Sequence, residues 1–184
     1  FNGSTVYTHF FIIEFLVSHG FILVSSPCIG YNSFDVSRDA IGLDAQTRDL
    51  AFILSYMINE KNLDKDNIGT LGFSWGGMSN ILFALQDSRI GAVVSLDGAM
   101  NMKKYKKILG ESDYYNINRM KAAYMQIIPN DQDRIMDFYD EAKYSNRVMF
   151  KYMGIEHNDF SSDCIMKYLH CSSEPTKRDA NYIN

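Results

Sequence analysis

The stretch Leu71-Gly-Phe-Ser-Trp-Gly-Gly-Met78 places one serine between glycines, at the boundary between two kinds of local pattern. The apolar, β-rich run Ile68 to Phe73 predicts a strand, and the segment Trp75 to Leu85 predicts a helix. Ser74 would then occupy a sharp strand-to-helix turn. Because open α/β sheets place their functional sites at the carboxyl ends of strands, the stretch predicts both a fold class and a site.

Ser74 has two interpretations. It can be the N-cap of the following helix, where its side chain accepts a hydrogen bond from a backbone N–H. It can also be a nucleophile, since Gly-x-Ser-x-Gly between a strand and a helix is the pattern of a nucleophile elbow. Capping gives Gly72 and Gly76 no purpose, whereas in a tight turn side chains at both positions would collide with the neighbouring strand and helix. The pattern therefore favours the nucleophile.

Strand-like and helix-like segments alternate along the rest of the chain. Further strands are predicted at Phe21–Val24, Gly91–Leu96, Tyr124–Ile128 and Arg147–Tyr152, and further helices at Thr5–Ser18, Asp39–Asn59, Asp131–Ala142 and Ser161–His170. Such alternation predicts an α/β fold, in which a mostly parallel sheet has helices on both faces. With no internal repeat and no linker-like stretch, one domain is expected over residues 1–184.

The chain starts within a fold rather than at its beginning, in this interpretation. Its first residue is not methionine, and Phe1-Asn2-Gly3-Ser4 is typical of an internal loop. We therefore expect a domain truncated at its N-terminus, and the localisation of the protein is left open because a leader peptide cannot be assessed.

Composition excludes several function classes. The net charge is −4 and 22% of the residues are charged, so there is no basic field for nucleic acid. No run of 18 apolar residues is present, which excludes a membrane-spanning helix within this chain. None of the three cysteines lies in a Cys-x-x-Cys pair, so neither a disulfide framework nor a zinc site is indicated. Oligomeric state is left open.

One segment, Asn101 to Lys121, interrupts the alternation. It is rich in lysine and tyrosine and lies between two predicted strands. A solvated connecting helix is the favoured interpretation, and a lid facing the substrate is the alternative.

A serine hydroxyl needs an adjacent base, and in this fold the base follows the serine and the acid in sequence. Only His157 and His170 come after Ser74. His170 lies near the end of a predicted helix, where a structural histidine is favoured by the helix dipole. His157 lies in a loop after a predicted strand, so it is the predicted base.

The acid has two candidate positions. Asp97 follows the strand after Ser74, whereas Asp131 and Asp133 follow the next strand along the chain. Either loop could deliver a carboxylate to His157. Asp131 or Asp133 can also be explained as the N-cap of the following helix, while an aspartate that ends an apolar strand has less structural purpose.

Four segments of the chain resemble the α/β-hydrolases of the platelet-activating factor acetylhydrolase and dienelactone hydrolase type. They are Leu16–Leu23, Gly72–Gly77, Ser95–Gly98 and Gly154–Phe160, and Asp49–Ser55 is similar to the helix that precedes the nucleophile strand. In the acetylhydrolase branch the acid follows the strand immediately after the nucleophile, at an interval similar to the 23 positions between Ser74 and Asp97. The resemblance therefore implies Asp97 as the acid.

The resemblance also implies an activity and an oxyanion hole. The oxyanion would be held by the backbone N–H of Trp75 and by a second N–H from around Asn2 or Gly3. His19 would be structural, and the strands that the family carries ahead of Phe1 are absent. The expected reaction is hydrolysis of a small-molecule carboxylic ester by Ser74, His157 and Asp97 through an acyl-enzyme, which requires neither metal nor organic cofactor. A peptidase of the same fold and a non-catalytic binding module are the alternatives.

Overall fold

The computed structural model describes residues 9–26, 37–60, 63–130 and 134–162. Its helices are α1 (Phe10–Ser18), α2 (Ala40–Met57), α3 (Trp75–Gln86), α4 (Lys103–Glu111) and α5 (Asp137–Glu141). Its strands are β1 (Ile68–Phe73), β2 (Ile90–Leu96), β3 (Ala123–Pro129) and β4 (Arg147–Tyr152). Short 3-10 helices cover Ala99–Asn101, Ile117–Arg119 and His157–Phe160.

The chain divides into two compact units. One consists of Phe1–Pro27 and Glu156–Asn184, and the other of Cys28–Ile155. The first holds α1 and the 3-10 helix at His157, and within it the Phe11 N–H donates to Ser162 Oγ at 3.4 Å. The second holds the remaining elements. The single domain expected over residues 1–184 stays a prediction.

The second unit is built on a four-stranded parallel sheet in the order β1-β2-β3-β4. Each strand is followed by helical structure before the next begins, as parallel strands require. Phe73 pairs with Leu96, and Leu96 pairs with Ile127, so the carboxyl ends of β1, β2 and β3 lie side by side. The α/β prediction is confirmed.

Helix α3 forms the centre of the core. Its sequence is apolar on nearly every side, and ten of its residues are buried, including Met78, Ile81 and Leu82. A helix that is apolar all round requires cover all round, and α3 packs on β1, β2 and α2. Helix α2 begins at an N-cap, Asp39, whose carboxylate accepts a hydrogen bond from the Gly42 N–H at 2.8 Å. The core thus fixes the position at which α3 begins.

The strand predicted at Phe21–Val24 is wrong. These four residues are exposed, and they form no ladder with any other described segment. An apolar run becomes a strand only where a neighbouring strand pairs with its N–H and C=O groups. Here the Phe21 N–H donates instead to the Leu16 carbonyl of α1 at 3.2 Å.

The helix predicted over Asp131–Ala142 is shorter, covering only Asp137–Glu141 among the described residues. Residues at the predicted start of this helix form backbone hydrogen bonds with another segment instead. Arg134 forms an antiparallel bridge with Met102, and the Ile135 N–H donates to the Asn101 carbonyl at 2.8 Å. These tertiary bonds replace the helical ones. Residues 1–8 and 163–184, where the predicted first and last helices begin and end, lie outside the described residues.

The segment from Asn101 to Lys121 contains the solvated helix that the sequence favours. Helix α4 buries only Leu109, and its lysines lie on the solvent side. Lys106 forms an ion pair with Asp137 of α5. Among the described helices, none combines the length and apolar character needed to cross a membrane.

Candidate active site

Ser74 lies between β1 and α3 in a conformation that L-residues rarely adopt. Its φ is +53° and its ψ is −117°. A residue in such a region costs on the order of 1–3 kcal/mol, and residues of this kind cluster at active sites. Ser74 occupies the N-cap position of α3, but its side chain makes no capping hydrogen bond, so the interpretation that its side chain caps the helix is wrong. The strand, the strained serine and the helix together have the form of a nucleophile elbow.

Gly72 and Gly77 allow the close packing around this turn. The sequence predicted this role for Gly72 and Gly76. A Cβ on Gly72 would lie against the Gly76 carbonyl and 2.5 Å from Asn80 Nδ2. A Cβ on Gly77 would lie 2.8 Å from Ser95 Oγ and 3.0 Å from Gly98 Cα. A Cβ on Gly76 would meet nothing within 4 Å in the described part of the chain, so its predicted collision is wrong. Helix and sheet approach each other at Gly72 and Gly77.

Asp97 occupies the matching position on the next strand. It is the first residue after β2, its φ is +42°, and it is 0% exposed. Its N–H donates to the Ile127 carbonyl of β3 at 2.7 Å, which continues the sheet by one bond beyond the end of β2. The sheet therefore places Asp97 at its carboxyl edge.

The structure brings the turns at Ser74 and Asp97 together. The Ser74 N–H donates to the Leu96 carbonyl at 3.0 Å, and the Ala99 N–H donates to the Ser74 carbonyl at 2.8 Å. Leu96 and Ala99 flank the Asp97-Gly98 pair. The backbone of the serine is thus bonded on both sides of the aspartate, so the two turns are fixed relative to each other.

The Asp97 carboxylate forms a bidentate ion pair with Arg134. Arg134 Nε donates to Oδ1 at 2.8 Å, and Nη2 donates to Oδ2 at 2.6 Å. A fully buried carboxylate needs such partners, because an unpaired charge is costly to bury. A carboxylate offers about four acceptor positions, so two bonds leave capacity for another donor. Sequence reasoning missed Arg134, since nothing in its neighbourhood marks it as different from a surface arginine.

His157 opens a 3-10 helix that covers His157–Phe160, and it is half-buried. This turn is stabilised by a capping box between Glu156 and Asp159. The Glu156 N–H donates to Asp159 Oδ2 at 2.6 Å, and the Glu156 side chain accepts from the Asp159 N–H. His157 belongs to the unit formed by Phe1–Pro27 and Glu156–Asn184, whereas Ser74 and Asp97 belong to the other. The capping box stabilises the turn that carries His157.

Trp75 is the first residue of α3, so its N–H belongs to the first turn, whose N–H groups have no partner within the helix. Such groups point beyond the helix end and bind negative charge. The indole ring is buried and packs edge-on against Tyr105, with 5.7 Å between ring centroids. The ring therefore anchors the start of the helix while the backbone faces the turn.

Several predicted residues lie outside the described ranges. They are Asn2 and Gly3 of the oxyanion loop, the alternative acids Asp131 and Asp133, and the alternative base His170. His19 is described, and its Nδ1 lies 2.7 Å from the Phe15 carbonyl at the end of α1, a local contact. In the described ranges, no three His, Cys, Asp or Glu side chains cluster as metal ligands would.

Strand β3 carries a buried polar pair, Tyr124 and Gln126. The Tyr124 hydroxyl donates to Gln126 Oε1 at 2.6 Å, and both residues are almost fully inaccessible. Burial raises the pKa of Tyr124 far above its usual range. The hydroxyl therefore stays protonated, and it acts as a structural donor to Gln126 inside the core.

The chain is similar to one protein family and to several solved structures. Residues 39–147 match the model of the prolyl oligopeptidase family, a peptidase family. The matched region includes Ser74, Asp97 and Arg134, and excludes His157. No curated protein sequence gave a significant match.

Among solved structures, three similar ones cover most of this chain. An esterase from Pyrococcus furiosus has a TM-score of 0.57 and 18% identity, over 86% of this chain and 69% of its own. A carboxylesterase from Nitrososphaera gargensis has 0.56 and 12%, over 87% and 84%. DcsB, solved in a complex with its substrate analogue, has 0.56 and 14%, over 81% and 78%. At these identities the similarity shows the fold alone, and it confirms the predicted α/β-hydrolase fold.

Proposed function

The chain belongs to the prolyl oligopeptidase family and is an α/β-hydrolase-type serine hydrolase, and from that premise we propose that it cleaves a carboxylic ester through an acyl-enzyme formed on Ser74. His157 is the proposed general base, and Asp97 is the proposed acid that orients it. The matched family also includes peptidases. Similarity to the acetylhydrolases is therefore part of this proposal and does not follow from the family match.

The reaction has two steps. Ser74 Oγ attacks the ester carbonyl while His157 takes the hydroxyl proton, and His157 then gives that proton to the departing alcohol. A water attacks the resulting acyl-enzyme, again with His157 as base, and the acid is released as Ser74 recovers its proton. Asp97 fixes the imidazole tautomer and stabilises the imidazolium.

The strained turn at Ser74 is the observation that carries the proposal. A serine that only caps a helix needs no positive φ, and the Ser74 hydroxyl makes no capping bond. The same turn presents the Trp75 N–H at the start of a buried helix, which supports its role as one oxyanion donor. Asn2 or Gly3 is proposed to supply the other. One such donor contributes about 3–4 kcal/mol to transition-state stabilisation.

An ester substrate is favoured by the two esterases among the similar structures and by the spacing of Ser74 and Asp97. The proposed substrate is a small molecule, and the mechanism uses no cofactor. A serine peptidase is the second candidate, and the prolyl oligopeptidase family match is the observation that favours it. Both use the same acyl-enzyme, so the leaving group distinguishes them.

Stopped-flow hydrolysis of p-nitrophenyl acetate and of an N-acetylated aminoacyl p-nitroanilide tests this function. We expect a burst of one nitrophenolate per enzyme with the ester, and turnover of the ester at least tenfold faster than of the anilide. Ser74→Ala should lose both. Ser79→Ala is the matched control, since Ser79 is a buried serine in the same helix whose hydroxyl donates to the Trp75 carbonyl at 3.1 Å.

Faster turnover of the anilide would replace the esterase by the peptidase. An inactive wild-type protein would instead favour the non-catalytic binding module.

A further inference from the structure

The Asp97–Arg134 ion pair is almost fully buried. The Asp97 side chain is 0% exposed and the Arg134 side chain 12%. Both guanidinium-carboxylate bonds are short, at 2.8 and 2.6 Å, and they run in parallel. Such a fork fixes the plane of the carboxylate as well as its position, which a single hydrogen bond does not.

The backbone also holds Arg134 in place. Arg134 bridges to Met102, and the neighbouring Ile135 N–H donates to the Asn101 carbonyl at 2.8 Å. The backbone N–H of Asn101 in turn donates to the Gly98 carbonyl at 3.0 Å. The segment that follows Asp97 is therefore tied to the segment that carries Arg134. The arginine cannot shift without moving the turn on which the aspartate lies.

Asp97 requires such a constraint because its backbone does not supply one for the side chain. Its N–H bond and its φ of +42° fix the main chain only. The side-chain torsions need contacts of their own, which the two bonds from Arg134 provide. A general base works only if its imidazole is held by an acceptor in a defined plane. With two acceptor positions used by Arg134, the remaining ones have fixed directions.

We propose that Arg134 is a positioning residue for the reaction on Ser74, because its fork holds the carboxylate of the proposed acid, Asp97, in one fixed orientation. This inference rests on the proposed function, in which Asp97 is the acid. The role proposed for Arg134 is to act on the reaction through Asp97.

The chain offers a matched control pair. Arg89 Nε donates to Asp87 Oδ1 at 2.8 Å, and Nη2 donates to Oδ2 at 2.5 Å, which is the same fork. This pair lies between α3 and β2, at the opposite end of β2 from Asp97, and its side chains are 36% and 13% exposed. A loss of activity caused by removing any forked ion pair would appear in both places.

The experiment compares Arg134→Ala, Arg134→Lys, Arg89→Ala and Asp97→Asn by kcat and KM for p-nitrophenyl acetate, with folding followed by circular dichroism. We expect Arg134→Ala to lower kcat on the order of 10- to 100-fold, as loss of a group that orients a catalytic residue does, while KM changes less than about threefold. Guanidinium at a few millimolar should restore part of kcat. Arg134→Lys should keep the fold and lose about tenfold, since an ammonium cannot form the fork.

Each outcome bears on the inference separately from the proposed function. If Asp97→Asn is inactive while folded Arg134→Ala or Arg134→Lys has the wild-type kcat, the positioning role is wrong and the triad stands. An equal loss in Arg89→Ala, or no rescue by guanidinium, also overturns it. If Asp97→Asn is fully active, the proposed acid fails instead. Where Arg134→Ala does not fold, the kcat of Arg134→Lys decides.

Discussion

Ser74 and Asp97 are the first residues after two adjacent parallel strands, and both have a positive φ, of +53° and +42°. They are the only non-glycine residues with positive φ in the described part of the chain. Strain of this kind persists only where the surrounding structure imposes it, and here the bonds from Ser74 to Leu96 and Ala99 do so. The coincidence of two strained residues at one sheet edge supports a catalytic site there.

The strain at Ser74 predicts a difference between two inactive variants. Ser74→Gly should be more stable than Ser74→Ala by about 1–2 kcal/mol, because glycine adopts positive φ without steric cost and alanine does not. Urea unfolding of both variants measures the difference. The same two substitutions at Ser79, within the helix, are the control and should show the reverse order, since alanine favours helices. Equal stability of the two Ser74 variants would contradict a strained turn.

The glycines around the turn are predicted to differ in their tolerance of a methyl group. Gly72→Ala should lower the free energy of unfolding by about 1–3 kcal/mol, because its Cβ would press on the Gly76 carbonyl and on Asn80. Gly76→Ala should be neutral or slightly stabilising, since its Cβ meets nothing within 4 Å in the described residues. Thermal unfolding of the two variants in parallel is the measurement. A strongly destabilised Gly76→Ala would show that the turn packs differently.

Two buried amide side chains, Asn101 and Gln126, should respond to replacement by leucine with opposite changes in stability. Asn101 is fully buried and neither polar atom of its side chain has a partner in the described structure, whereas Gln126 accepts the Tyr124 hydroxyl. Asn101→Leu should therefore raise the free energy of unfolding by about 1 kcal/mol, since an unsatisfied buried amide is costly. Gln126→Leu should lower it by about 1–3 kcal/mol, because it takes a partner from Tyr124. Destabilisation by both changes would show that Asn101 is satisfied in solution.

The identity of the acid can be tested by comparing kcat of Asp97→Asn with kcat of Asp131→Asn. Asp97→Asn should reduce kcat by about 10³- to 10⁴-fold, since an asparagine holds the imidazole in the wrong tautomer. Asp131→Asn should leave kcat within a factor of a few. Steady-state ester hydrolysis by both variants decides the question. If Asp131→Asn alone loses several orders of magnitude, the assignment of Asp97 is wrong.

The fold could be predicted from the sequence because, in the central part of the chain, the local sequence pattern favours the secondary structure that forms. The predicted strands Ile68–Phe73 and Arg147–Tyr152 have the observed bounds, and the predicted helix Trp75–Leu85 ends one residue early. In these segments the apolar pattern and the glycine positions favour the same structure, and the core confirms them. The turn at Ser74 could be predicted for the same reason, since it lies between a correctly predicted strand and a correctly predicted helix.

The errors arose where tertiary contacts decide the local structure. Phe21–Val24 has the composition of a buried strand but lacks a pairing partner among the described residues, so composition alone misled. The segment at Arg134 pairs with Met102 instead of starting a helix. The Asp97–Arg134 pair joins residues 37 positions apart, and no sequence pattern encodes such a contact. Whether His157 completes the triad stays a prediction.

The most direct test of the account is to locate the adduct of a fluorophosphonate probe by mass spectrometry. We expect one adduct per chain, on the peptide that contains Ser74, with labelling absent in Ser74→Ala, retained in Ser79→Ala, and slowed by several orders of magnitude in His157→Asn. An unlabelled wild-type protein, an adduct on another serine, or labelling of His157→Asn at the wild-type rate would contradict it.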